Sequence, residues 1–372
     1  MSSVASEMDM TIGPSAKTRM GRGVQVFRTL ADLDDMASTW EQLAAGRNPV
    51  SGFAYARAWA AGLDGAQRLA VFSAGGRERP AIAPLVMNRG AAGWLTLLAA
   101  EMYEIMDFLY ADETALSELA RTIARTGRPL ELKRVPADSP AAAALEAAYR
   151  RSGVVRRQAA GGSPWIPLDE SWYEPEMRLE AGRRSDLRRA RRHAEKMGAV
   201  EAVVIAPTRD QLPQLLAEAF QVEAAGWKGA HGTALASDPV RGDFFRRYTE
   251  QACTHGILRM CMLRIGGRPA AAQIAIESGT RFDLLRAGYD EQFARCSPGM
   301  LLTVESIRYA ARRGLRSYEF NGDVEPWTKV WTQHEHACCS LRAYPFSPRG
   351  AWAMFDDGRQ AAVRKLRERL KA

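Results

Sequence analysis

The sequence predicts an α+β protein made of two similarly built units, each a short antiparallel meander flanked by helices. Both halves of the chain read helix, helix, short meander, helix, strand. In the second half, three apolar runs at 257–265, 269–278 and 281–289 are joined by Gly266-Gly267 and Gly279-Thr280. Such tight glycine turns between alternating runs mark an antiparallel meander. Helical runs with an apolar stripe stop at Gly127, Gly153, Gly198, Gly256 and Gly314, the residue that most readily closes a helix.

In order, residues 24–30 read as a strand, and 31–45 and 52–63 as amphipathic helices. Strands follow at 68–73, 80–88 and 94–98, then a helix at 114–125, a strand at 130–135 and a helix at 140–151. Residues 154–168 read as an extended segment broken at Gly161-Gly162-Ser163-Pro164. The second set opens with a long basic helix at 175–197, a strand at 200–206 and a helix at 210–225. A glycine-flanked loop leads to a helix at 239–254 and the meander. A helix at 298–313, a strand at 315–320, a short helix at 326–331, a strand at 338–344 and a terminal amphipathic helix complete the chain. The expected division is a disordered 1–22, domains at 23–168 and 169–350, and the terminal helix within 351–372.

A length of 372 residues suits two domains, and 47% apolar with 25% charged residues is an ordinary globular composition. Five cysteines, an odd number without paired metal spacing, argue against a disulfide framework and for a reducing, cytoplasmic setting. The first residues lack the apolar core of a signal peptide. No run reaches the ~18 apolar residues of a membrane span, which leaves peripheral membrane contact open. The net charge of +8 suits an anionic ligand and nucleic acid equally.

The chemistry gathers between residues 281 and 331. Ser297 is a favourable N-cap, Pro298 fits the first helical position, and Gly299 leaves the first turn bare. Met300, Val304, Ile307 and Ala311 form the expected buried stripe. Helix-opening N–H groups at Gly299, Met300 and Leu301, with the positive end of the dipole, make a site for a phosphate-bearing ligand; an efficient cap is the plain alternative. Arg286, Gly288 and Tyr289 end the preceding strand, and Glu319 and Asp323 bring carboxylates to the following one. Either suits a general base, although Asn321-Gly322-Asp323 also satisfies a turn. Glu223 is a third candidate base, with a solvated helix face as its alternative. Lys329, between Trp327 and Trp331, can meet a phosphate or carboxylate, or lie over a tryptophan core. Trp227 and Lys228 form a substrate-facing lip.

The order Gly288-Tyr289-Asp290, Ser297-Pro298-Gly299-x-Leu301-Leu302, Gly314-Leu315-Arg316-x-Tyr318-Glu319-Phe320, Trp327-Thr328-Lys329 resembles the CelD-type acetyltransferase-like family, a branch of the GNAT acyltransferases. Residues 185–196 and 221–236 are similar to its second-domain pattern, and Tyr103 to Tyr110 with Arg134 to Pro140 to its first. The resemblance covers residues 24–350. It implies a pseudo-duplicated build like that of the Fem peptidyl ligases, with acyl-CoA, acetyl-CoA in the first instance, bound by the second domain. The acyl group then passes by direct attack of an amine, and no metal is needed. The acceptor class it implies is a small-molecule, sugar-linked or lipid-linked amine of envelope or polysaccharide synthesis. Ser297 to Leu301 would hold the diphosphate, and Asp107, Arg184, Arg188, Trp331 and the lip residues would meet substrate. One departure stands out: Arg295-Cys296-Ser297-Pro298-Gly299 replaces the glycine-richer GNAT phosphate loop.

The basic helix carries Arg183, Arg184, Arg188, Arg189, Arg191, Arg192 and Lys196 against only Asp186 and Glu195. A solvated face is its ordinary reading; an anionic partner is the other. Because Fem relatives use aminoacyl-tRNA, a tRNA-dependent aminoacyl transferase is the alternative function. A non-catalytic nucleic-acid-binding or scaffold protein ranks third, since no RNA-binding motif is visible. His334 and His336 lack a third ligand, so no metal site is expected.

Overall fold

The computed structural model describes residues 18–19, 24–226 and 235–371. The first half comprises strands β1 (Thr18–Arg19) and β2 (Gln25–Phe27), helices α1 (Leu30–Asp34), α2 (Ala37–Ala44) and α3 (Phe53–Ala60), and strands β3 (Gln67–Leu69), β4 (Val71–Ala74), β5 (Ala81–Ala83), β6 (Leu85–Asn88), β7 (Leu95–Leu97) and β8 (Leu109–Tyr110). Helix α4 (Glu113–Arg125), strand β9 (Leu130–Pro136), helix α5 (Pro140–Tyr149) and strand β10 (Gly153–Pro167) follow. The second half runs α6 (Ala181–Met197), β11 (Val200–Ile205), α7 (Leu212–Ala224), α8 (Pro239–Thr254), β12 (Leu258–Ile265), β13 (Arg268–Ser278), β14 (Arg281–Tyr289), α9 (Pro298–Arg312), β15 (Ser317–Glu319), β16 (Glu335–Pro345) and α10 (Pro348–Lys371).

Local chemistry sets these elements. Thr29 and Asp32 close a capping box on α1. Asp112 accepts the Ala115 N–H at the start of α4, whose Leu116, Leu119 and Ile123 recur at helical spacing and are buried. Asp238 caps α8 just ahead of Pro239. The predicted strands 68–73 and 80–88 are each two strands, divided at Ala70 and Pro84, because their halves join different sheets. Proline has no N–H to continue a ladder. The predicted helix 31–45 is likewise two, α1 and α2. Pro175 opens a short 3-10 turn, Pro175–Arg178, separate from α6, so the predicted helix 175–197 starts later. Residues 326–331 form turns instead of a helix, tied by Thr328 Oγ1 to the Glu325 amide and carbonyl.

An 11-stranded sheet runs through both halves in the order β11-β12-β13-β14-β15-β10-β16-β9-β7-β6-β3. A second, five-stranded sheet in the first half runs β1-β2-β4-β5-β8. The large sheet is continuous because two strands cross over. β10 ends the first half yet lies between β15 and β16, and β16 pairs with β9 of the first half. Instead of breaking at Gly161-Gly162, β10 keeps pairing, with a register shift between Ala160 and Ser163. The predicted division at residue 168 falls just after this strand. The central strands divide their side chains between two cores: Leu258, Met260 and Met262 of β12 join the core of the first half, and Cys261, Leu263 and Ile265 the other. Tyr55 of α3 packs edge-on against Phe244 and Tyr248 of α8, with ring centroids 4.9 and 5.1 Å away.

Candidate active site

β14 and β15 run parallel and pair only at Arg281–Ser317, Phe282–Tyr318 and Asp283–Glu319. On its other side β14 pairs with β13, but the register shifts so that Leu285 is an extra residue between Leu284 and Arg286. Such a bulge bends a strand and raises its twist. Beyond Asp283 the pairing of β14 with β15 stops, and a cavity of about 590 Å³ opens between them. Its walls are β14, the start of α9, the turn from Phe320 to Asp323, and Met102 and Glu104 from the first half.

The start of α9 differs from expectation. Ser297 adopts the left-handed conformation (φ 44°) and its side chain makes no cap. Its carbonyl instead accepts the amides of Met300 and Leu301, at 3.0 and 3.1 Å. Pro298 has no N–H and is buried, as is Leu301, whereas Gly299 lines the cavity. A Cβ on Gly299 would sit 3.5 Å from the Tyr289 ring, in ordinary contact. Met300, expected in the buried stripe, lines the cavity instead.

Two buried polar atoms on this cavity have no hydrogen-bond partner, Gln273 Oε1 and Glu104 Oε2. Gln273 donates through Nε2 to Thr303 Oγ1 at 3.1 Å, and Thr303 donates to the Gly299 carbonyl, which aims the other amide end away. Glu104 is only 8% exposed. Burial pushes its carboxyl up to about 8, while the positive charges of Arg134 and Arg286 and the Gly322 amide pull it down and the negative charge of Asp283 pushes it further up. Arg134 lies beside it, fully buried and in a left-handed conformation, φ 52°. It donates to the carbonyls of Tyr103 and Gly322, each at 2.6 Å, and its guanidinium covers the Tyr103 ring at 4.7 Å. Tyr103, Arg134, Ser297 and Asn321 are four of the five described non-glycine residues at positive φ. Strained backbone gathers at this site, as it does at functional sites generally. Sequence reasoning gave Glu104, Gln273 and Arg134 no role. The one available signal was an acid set among apolar residues in Tyr103-Glu104-Ile105-Met106.

The predicted residues fall into groups. Arg286 and Gly288 line the cavity but are already engaged. Arg286 Nε pairs with Glu223 Oε1 at 2.7 Å, and a Cβ on Gly288 would meet the Glu223 backbone at 3.0 Å. Glu223 is thus buried (3% exposed) instead of solvated, and also accepts the Leu235 N–H. Glu319 points to a different cavity of about 550 Å³, which it shares with Asp107 and His336. Its two oxygens meet Arg281 at 3.0 Å and His336 at 2.9 Å. Burial raises its carboxyl, yet His336 and Arg281 outweigh that and hold it below the usual range. Asp107 bonds Ser139 at 2.7 Å, with burial pushing its carboxyl up.

Asp323 is exposed, 3.6 Å from Arg134, and borders both the β14 cavity and a polar cavity of about 710 Å³ that contains Lys329. Trp331 is buried in the core beside that cavity and does not line it. Trp227 and Lys228 lie outside the described residues. Arg188 is exposed on α6, whereas Arg184 bonds back to the Leu179 carbonyl at 2.8 Å. His336 stacks on the Trp165 ring at 5.0 Å, and His334 lies tilted against the same ring at 5.8 Å.

This geometry, a bulged strand splaying from a parallel neighbour over a helix start, defines a class. Residues 181–329, less than half of the chain, match the acetyltransferase (GNAT) domain family. No curated protein matches the chain. Among solved structures, the chain is similar to the DUF2156 C-terminal domain of an Agrobacterium fabrum protein assigned to the lysylphosphatidylglycerol synthetases (TM-score 0.55, 12% identity, 89% of this chain and 96% of that one). It is also similar to FemX (0.52, 12%, 86% and 96%) and to L-PGS from Bacillus licheniformis (0.50, 12%, 87% and 93%). The fold is that of tandem GNAT-like, Fem-like proteins. No described helix is long and apolar enough to cross a membrane.

Proposed function

We propose that the protein is an N-acyltransferase that moves an acyl group, acetyl in the first instance, from acyl-CoA to an amine. The observation that carries this is the cavity that opens where β14 and β15 stop pairing, with an unsatisfied Gln273 Oε1 in its wall. The bulged end of β14 beside this cavity suits an extended pantetheine arm, and the Gly299 amide at the α9 start suits a phosphate. Bound acyl-CoA supplies a thioester carbon open to direct attack by nitrogen. A carboxylate must take the amine proton, and Asp323, which borders both cavities, suits holding the incoming ammonium between them.

The acceptor belongs in the polar cavity across Asp323. Gly162 leaves room there for Glu335, because a Cβ would stand 2.7 Å from Glu335 Oε2; Gly161 does the same for Asp323. Two carboxylates beside Lys329, Thr332, Gln333 and His334 suit an ammonium on a hydroxylated scaffold such as an amino sugar, in keeping with the CelD-type resemblance. Five free thiols fit a reducing, cytoplasmic setting.

One observation favours a second reading, aminoacyl transfer from tRNA. Arg183, Arg188, Arg192 and Lys196 of α6 are exposed, and none has a recorded partner among the described residues. Such a row suits a polyanionic donor.

The test is calorimetry with a panel of acyl-CoAs, with tRNA in parallel. Acetyl-CoA is expected to bind, and Gly299→Val to weaken it about tenfold by crowding its amide, ~1.4 kcal/mol. Salt-sensitive tRNA binding without acyl-CoA binding selects the second reading. Binding of neither ligand removes both.

A further inference from the structure

Resting on that transfer reading, we propose that Glu104, supplied by the first half of the chain, is the general base for a reaction held in the cleft of the second half. A carboxylate can accept a proton only if it is not already committed to a cation. Around this cleft most are committed: Glu223 to Arg286, Asp283 to Arg281, and Glu319 to Arg281 and His336, each within 3.0 Å. Glu325 holds the Trp327 indole at 2.7 Å, and Asp323 stands in solvent beside Arg134. Glu104 alone among these described carboxylates is buried, lines the cavity and keeps an oxygen without a hydrogen-bond partner. Buried polar atoms are rarely left bare, and a ligand N–H at Oε2 would satisfy this one.

The surroundings make the carboxyl a strong base when ionised. The charges of Arg134 on β9 and of Asp283 and Arg286 on β14 act on it, it acts in turn on Tyr55 of α3 and Tyr248 of α8, and Glu223 of α7 pairs with Arg286. Burial dominates the sum, so the proton is held more firmly than in water and is transferred within the range where an alkyl ammonium can give it up. Arg134 also fixes Gly322 through its carbonyl, so the two halves of the chain grip the same turn.

The step balances as follows. Glu104 takes one proton from the ammonium, and the freed nitrogen pair forms a C–N bond to the thioester carbon. Collapse of the tetrahedral oxyanion breaks the C–S bond, with its electron pair leaving on sulfur. The surplus proton on nitrogen passes to that thiolate, giving amide and free thiol, and Glu104 releases its proton to solvent.

The experiment compares wild type with Glu104→Gln and Glu104→Asp in kcat/KM against pH, with acyl-CoA affinity and Tm measured alongside. Aminoacyl-tRNA is run as a second donor. The wild-type rate should rise with pH through about 8, the range where Glu104 ionises. Glu104→Gln should lose about 10²-fold or more and the rising limb itself, with donor affinity unchanged. Glu104→Asp should keep the limb at a reduced rate. A Glu104→Gln enzyme that keeps the wild-type rate or limb overturns the proposal and leaves the acyl-transfer reading standing. A wild type that transfers from neither donor overturns the reading, and the proposal with it.

Discussion

At the scale of single residues, the cleft holds polarity that the fold itself does not use. Gln273 Oε1 and Glu104 Oε2 are sealed from water and unpartnered, a state that normally costs about 1–3 kcal/mol each. Glu104 also links stability to pH. Its folded-state pKa, about 8, lies above the ordinary 4.5. The folded protein therefore keeps a proton that the unfolded chain releases. The stability it contributes is full below the ordinary value and is lost as pH rises through about 8. Calorimetric melts should show the wild type losing Tm relative to Glu104→Gln as pH rises from about 4.5 to about 8, and no further loss above that. Parallel curves would assign Glu104 an ordinary carboxyl. The apolar setting of Tyr103-Glu104-Ile105 marks the acid but not the size of this shift, which comes from the burial that long-range packing gives it.

At the scale of elements, one extra residue in β14 and two glycines in β10 shape the site. The Leu285 bulge turns the end of β14 away from β15, and the parallel pairing stops after Asp283. In β10, Gly161 and Gly162 let a strand pass where Asp323 and Glu335 need space. Gly162→Ala should crowd Glu335, raise KM for the amine about tenfold (~1.4 kcal/mol) and leave donor affinity intact. Steady-state kinetics with each substrate varied in turn checks this; a weakened donor with an unchanged amine KM would put the acceptor elsewhere. The sequence placed the glycines but assigned them to a break, since a local reading cannot see that β16 continues the pairing past them.

At the scale of the whole molecule, the two halves are not separable bodies. β10 stands between β15 and β16, β16 completes the ladder to β9, and α3 packs on α8. Arg134 adds a buried tie from β9 to the Gly322 turn. One cooperative unfolding transition is expected, reported alike by all probes. A fragment of residues 169–372 lacks β10, so β15 and β16 lose their shared neighbour. It should show no cooperative melt by calorimetry or near-ultraviolet circular dichroism until residues 1–168 are supplied. A fragment that melts cooperatively near the wild-type Tm would contradict a shared core.

The sequence by itself determined the α+β class, the meander 257–289, the helix opened by Pro298 and the apolar stripes, because period, caps and turns are local properties of the chain. It also singled out Gly299, Tyr289 and Asp323, all of which line the cleft. Only the tertiary structure decided which carboxylates were free. Glu319 and Glu223 look as eligible in sequence as Glu104, but ion pairing depends on what distant strands bring within 3 Å. The crossing of β10 and β16 was equally hidden, since strand order in a sheet follows from long-range pairing that no local pattern encodes.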